Sequence, residues 1–146
     1  MEEQQPILEL INSGFGQKMP DMRKYSPLTL AYIGDAVFDL IVRTLLVEQA
    51  NTPVKKLHLK ACSIVKAKSQ AHLILSIEDE LTDEEYSIFK RGRNAKASSV
   101  AKNAEIHDYR NATGFEALFG YLYLSGHLNR AIDLMKLGME RLNISL

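Results

Sequence analysis

The sequence predicts an all-α fold of about six or seven helices, and three observations carry that expectation. Apolar residues recur at spacings of three and four over long segments, as the buried face of a helix requires. Helix-starting devices precede several of these segments. Glycine and proline fall at element ends, without the rhythm of strands and tight turns.

Ser26-Pro27 supplies an N-cap with proline in the first turn and opens a helix expected to run to about Glu48. Thr52-Pro53 repeats the pattern ahead of a half-buried helix or helix pair, with Val54, Leu57, Ala61, Ile64, Val65, Ala71 and Leu75 inward. Thr82 and Glu85 form a capping-box pattern, so a helix is expected from Thr82 to Lys90, fraying into a basic loop. A further helix is expected from Ala112 to Leu124, with Gly126 placed to stop it. The last amphipathic helix is expected to turn Leu128, Ile132, Met135 and Met139 inward.

The 146 residues suit one domain, read as an amino-terminal extension over residues 1–25 and a core over 26–142. Apolar residues at 46% and charged residues at 25% are those of an ordinary globular protein. No apolar run approaches the roughly 20 residues of a membrane span, and the acidic start MEEQQ does not resemble a secretory signal. A cytoplasmic location is expected. The single cysteine, Cys62, has no internal disulfide partner and suits a reducing compartment.

A net charge of zero hides segregation by sign. Between Glu48 and Glu78 lie five lysines (Lys55, Lys56, Lys60, Lys66, Lys68) and no acid, whereas Glu78 to Glu85 carries six acids. From Tyr86 to Ala104 acids are again absent, while Lys90, Arg91, Arg93, Lys96 and Lys102 accumulate among glycine, serine and asparagine. Long cations, small residues and no acids are what a phosphate backbone needs. Arg91, Arg93, Lys96, Lys102 and Asn103 are therefore candidate phosphate contacts, or else part of a merely solvated surface loop. Lysines 55 to 68 either extend that surface or form the wet face of an amphipathic helix.

Two carboxylates stand where carboxylates are costly. Asp35 shares a helical stripe with Leu28, Ala31, Phe38 and Val42, which predicts a side chain aimed at packed apolar surface. Glu116 is the sole charged residue in GFEALFGYLYL, apolar almost all round. Either each acid pairs with its own lysine, arginine or backbone amide, or a divalent cation with hard oxygen ligands lies between them. The periodicity leaves both open. His58 and Cys62 stand four apart, but no further ligand completes a tetrahedral site, and His72, His107 and His127 are scattered without a nucleophile motif.

At these two acids the sequence resembles the ribonuclease III family. The signature core appears as Tyr32-Ile33-Gly34-Asp35-Ala36-Val37, and the second motif as Glu116-Ala117-Leu118-Phe119-Gly120-Tyr121-Leu122-Tyr123-Leu124. The closer likeness is to the Mini-ribonuclease III subfamily, through Leu30-Ala31 before the signature, Arg91-Gly92-Arg93-Asn94-Ala95-Lys96, Lys102-Asn103-Ala104 and Tyr109-Arg110. It covers roughly Ser26 to Leu142. The resemblance implies an all-helical domain that dimerises, uses magnesium (manganese as substitute), and cuts double-stranded RNA to leave 5′-phosphate ends. It further implies no separate double-stranded RNA-binding domain, and a role in trimming precursor large-subunit (23S) ribosomal RNA, with a ribosomal protein on the substrate as a conceivable aid. It makes Asp35 and Glu116 the metal-binding, catalytic carboxylates.

The sequence also departs from the wider family. Positions that usually carry further acids read Leu28, Ala31 and Thr113 here. That departure keeps a second reading in play, a catalytically silent RNA-binding or ribosome-associated module. Asp39, one turn after Asp35, is read as a salt-bridge residue, and Asp108 as a structural partner of Arg110.

Overall fold

The computed structural model describes residues 6–18, 21–95 and 104–146, with Ala104 described by its backbone alone. Among these residues there are seven α-helices and no strands. They are α1 (Ile7–Phe15), α2 (Pro27–Gln49), α3 (Val54–Val65), α4 (Ala67–Ile77), α5 (Asp83–Arg93), α6 (Ala104–Leu124) and α7 (Leu128–Arg141). Single turns of 3-10 helix, Met22–Lys24 and Glu78–Glu80, precede α2 and α5.

The expected starts and stops were largely correct. The Ser26 hydroxyl accepts from the Thr29 amide at 3.2 Å, with Pro27 in the first turn. The Thr82 hydroxyl accepts from the Glu85 amide at 3.1 Å while the Glu85 carboxylate accepts from the Thr82 amide at 2.9 Å, which completes the capping box. Gly126, at φ +83°, ends α6 in the left-handed conformation that a side chain would disfavour. Thr52 does not repeat the Ser26 device, because Pro53 itself stands at the N-cap of α3 with no side-chain bond. Helix α5 continues past Lys90 to Arg93, so Arg91 and Arg93 belong to its last turn and not to a loop. Helix α6 begins eight residues before the expected Ala112.

Helix α6 is central, with α2, α4, α5 and α7 all packed on it. That position explains why its second half, Gly114 to Leu124, is apolar almost all round, whereas Glu105, His107 and Arg110 in its first half face water. Phe115 and Phe119 from α6 meet Phe38 from α2, with ring centroids 4.9 and 5.7 Å away. Leu73, Ile74 and Ile77 of α4 and Leu134 and Met135 of α7 close the core. The buried face of α7 is Ala131, Leu134, Met135 and Gly138, and Ile132 faces out. Val54 and Leu75, expected inward, are exposed as well. The other expected inward residues hold: Ala61, Ala71 and Met135 are buried, and Leu57, Ile64, Val65, Leu128 and Met139 pack against the core.

Candidate active site

Helices α2 and α6 cross at a contact that tolerates no side chain. A Cβ on Gly34 would lie 1.7 Å from the Glu116 carbonyl oxygen, and one on Gly120 would lie 1.9 Å from the Leu30 carbonyl oxygen. Each glycine therefore admits the backbone of the other helix. Asp35 follows Gly34, and Glu116 lies one turn before Gly120, so this crossing brings the two acids together.

Glu116 is half-buried between buried Phe115 and Ala117. Its pKa is pushed up to about 8, first by burial, then by the charge of Asp35 and by a hydrogen bond with that carboxyl. The two carboxyls are thus in direct contact, and among the described residues neither forms an ion pair with a lysine or arginine. Separate neutralisation by core cations, one of the two readings left open by the sequence, is thus not seen among the described residues. Asp35 itself corrects an expectation, because its side chain is exposed. The buried stripe of α2 runs through Leu30, Ala31, Gly34, Val37, Phe38, Val42 and Leu46, and Asp35 and Leu28 flank it on the wet side. Glu116 holds the inner end of the pair and Asp35 the outer end.

The positions of the missing acids offer no substitute carboxylate. Leu28 is exposed, Ala31 is buried, and the hydroxyl of buried Thr113 donates to the Tyr109 carbonyl at 3.0 Å. No cluster of three or more His, Cys, Asp or Glu side chains exists among the described residues. Asp39 pairs with Arg43 at 3.0 Å on the same helix. Asp108 is half-buried and forms no ion pair with Arg110 among the described residues. His58 Nε2 lies 3.4 Å from Cys62 Sγ on the exposed side of α3, with no third ligand.

The basic end of α5 is held against the same stretch of α6. A Cβ on Gly92 would meet Ala117 Cβ and Gly114 Cα at 2.8 Å, and one on Gly114 would meet the buried Phe89 ring at 2.6 Å. This close approach places Arg91 and Arg93 beside the helix segment that leads into Glu116. Arg91 is exposed, and the Arg93 guanidinium stacks over the Phe89 ring at 5.4 Å. Lys96, Lys102 and Asn103 lie outside the described residues.

Comparison with known proteins agrees with this geometry. The Ribonuclease III domain family model matches residues 28–127, a span that contains both carboxylates and both helix crossings. A Mini-ribonuclease 3 from Clostridium tetani is 48% identical over 118 residues, covering 80% of this chain and 78% of that relative. The chain belongs to the Mini-ribonuclease 3 branch of the ribonuclease III family. A second Mini-ribonuclease 3, from a Thermoanaerobacter species, is 49% identical over 115 residues, covering 79% of this chain and 81% of the relative. In three dimensions the chain resembles a crystal structure of a Fusobacterium nucleatum protein, with a TM-score of 0.74 at 28% identity, over 82% of this chain and 96% of that one. Membership in the family makes this chain an endoribonuclease with the family's all-helical fold. No helix among the described residues is long and apolar enough to cross a membrane.

Reading the sequence missed the two glycine-lined crossings, although glycines inside otherwise apolar helices are a visible signal of close packing. It also missed the buried pair in which Arg130 donates to Glu85 at 2.9 and 3.0 Å, and the bond from the Tyr121 hydroxyl to Glu84. Pairs 45 and 37 residues apart leave no local pattern.

Proposed function

We propose that the chain is a single catalytic domain that cleaves double-stranded RNA with Asp35 and Glu116 as its metal-holding carboxylates. The observation that supports this reading most is the half-buried Glu116 carboxyl in contact with Asp35 and, among the described residues, without an ion pair to any lysine or arginine. Two facing carboxylates fit a hard divalent cation such as magnesium or manganese, which takes oxygen ligands. When bound, such a cation supplies Lewis acidity, lowering the pKa of an attacking water and neutralising charge on phosphate oxygens.

The chain's own residues do the rest. Without a cation, Glu116 keeps a proton up to about pH 8, and it meets Asp35 through a hydrogen bond. A cation held by the pair would require Glu116 to give up that proton, so the affinity of the pair for a cation would rise with pH. Asp35, at the exposed end, faces the phosphodiester, while Glu116 fixes the depth of the pair from within α6. Arg91 and Arg93, joined by Lys96, Lys102 and Asn103, bind the phosphate backbone. Duplex RNA is read chiefly by shape, phosphates and 2′-hydroxyls, so this surface suits docking without strong base choice.

The same reading assigns the product ends as 5′-phosphate and the assembly as a homodimer. It places the protein in the cytoplasm, trimming the paired ends of precursor 23S ribosomal RNA, with a ribosomal protein on the RNA as a further partner. Incubating the protein with a long RNA duplex, in magnesium and then in chelator, tests it. Magnesium-dependent cutting that disappears in Asp35→Asn, with duplex affinity retained, is the expected result. Metal-independent cutting, or full activity in Asp35→Asn, would overturn the assignment.

A further inference from the structure

Helix α1 leaves its apolar face bare. None of its residues is buried, yet Ile7, Ile11 and Phe15 recur every four residues and Leu8 and Leu10 flank them. Phe15 is 81% exposed. Its nine residues fall short of the roughly 12–15 at which an isolated helix holds in water. Packing has to hold it, and among the described residues the grooves that α1 lines lie at its Ile7 end. There Ile7 shares an apolar groove with Ala36, Leu40, Tyr123 and Leu128.

That groove joins α1 to a second bare surface. Leu28, Tyr32, Ala36 and Leu40 recur every four residues along the outer side of α2, all exposed, with Tyr32 at 82%. Asp35 stands beside this stripe. The large exposed side chains of the two helices, Ile7, Leu10, Ile11, Phe15, Leu28, Tyr32 and Leu40, present on the order of 700 Å² of apolar surface, against about 800 Å² per partner in a standard interface. Monomers rarely expose a contiguous apolar patch of more than a few hundred Å². A two-fold pair uses the same patch on both copies, so a stripe on α2 is covered by its own equivalent.

We propose that α1 is an inter-subunit clamp, whose Leu10, Ile11 and Phe15 pack on a second copy of this chain beside the α2 stripe of that copy. This rests on the homodimer reading above and names the segment that closes the dimer. Because the stripe adjoins Asp35, the clamp draws the two carboxylate pairs of the dimer toward one shared face.

Sedimentation velocity of the full chain over a range of concentrations tests the clamp. The wild type is expected to be dimeric. The double variant Leu10→Asp/Phe15→Asp is expected to raise the dimer Kd at least tenfold, with Phe15→Ala shifting it in the same direction by less. Circular dichroism is expected to show α2 to α7 still folded in both, since the altered side chains are exposed in one copy. Ser13→Asp, on the polar side of α1, is expected to leave Kd unchanged. A wild type that stays monomeric at about 100 μM would overturn the dimer and the clamp together. A dimeric wild type whose Kd is unmoved by the double variant would overturn the clamp alone.

Discussion

Glu85 and Glu116 are glutamates shielded from water in the same small fold, and the fold treats them in opposite ways. Glu85, only 5% exposed, accepts two bonds from Arg130 and one from the Thr82 amide, and the Arg130 hydrogen bonds hold its carboxyl below the usual range. Glu116 faces Asp35, and burial together with that neighbour pushes it up to about 8. A carboxylate supplied with its counter-cation by the fold serves stability. One supplied with a second carboxylate is costly for the fold and becomes useful when a cation arrives from solution.

Exchanging the charge for an isosteric amide should separate the two most sharply at Glu116. In Glu116→Gln, cleavage of duplex RNA is expected to fall by about a thousandfold, equivalent to roughly 4 kcal/mol of barrier. Duplex affinity in a gel-shift assay should change little. Activity within tenfold of wild type would remove Glu116 from the metal-holding pair. The converse change is Arg130→Ala, which leaves Glu85 buried without its cation and is expected to cost about 3 kcal/mol in urea unfolding. Cleavage per folded molecule should be unaltered, and a variant that loses activity without losing stability would break the comparison.

These two sites also differ in how far the sequence announced them. Asp35 and Glu116 were legible because each is a charge in an apolar run, and the Thr82–Glu85 cap because its partners are three residues apart. The end of α5 was not. Arg91 to Arg93 reads as a loop from its basic composition, yet Phe89 on Gly114 and Gly92 on Ala117 hold it helical through tertiary packing. The exposure of Asp35 was likewise hidden, since a one-dimensional stripe does not reveal that α6 approaches α2 from the side of Gly34 and Leu30. Arg130 gave no local sign of its partner Glu85.

The pH dependence of stability carries opposite signs at the two glutamates. Glu85 has a lowered folded pKa, so its contribution is complete above the ordinary glutamate range and fades as pH falls through its folded value. Glu116 has a raised one, so the metal-free fold binds the extra proton between about 4.5 and 8 and loses stability as pH rises across that window. In chelator, Glu116→Gln is therefore expected to melt a few degrees above wild type at pH 8.5 and at nearly the same temperature at pH 5. Thermal scans at the two values check this. A difference independent of pH would mean that Glu116 does not titrate in this window.

The smallest effects should come from the cations that serve RNA and not the carboxylate pair. Arg93 is stacked on Phe89, and neither it nor Arg91 is among the causes that set the pKa of Glu116. Among the described residues neither forms an ion pair, which leaves their charge for phosphate. Arg91→Ala and Arg93→Ala are each expected to weaken duplex binding a few-fold and to make the slope of log K against log salt shallower by about 1. The melting difference between wild type and Glu116→Gln should be the same with or without either substitution. If removing Arg93 instead raised the pH at which that difference develops, Arg93 would be a counter-cation of Glu116, and the division between a carboxylate satisfied within the fold and one left for solution would fail.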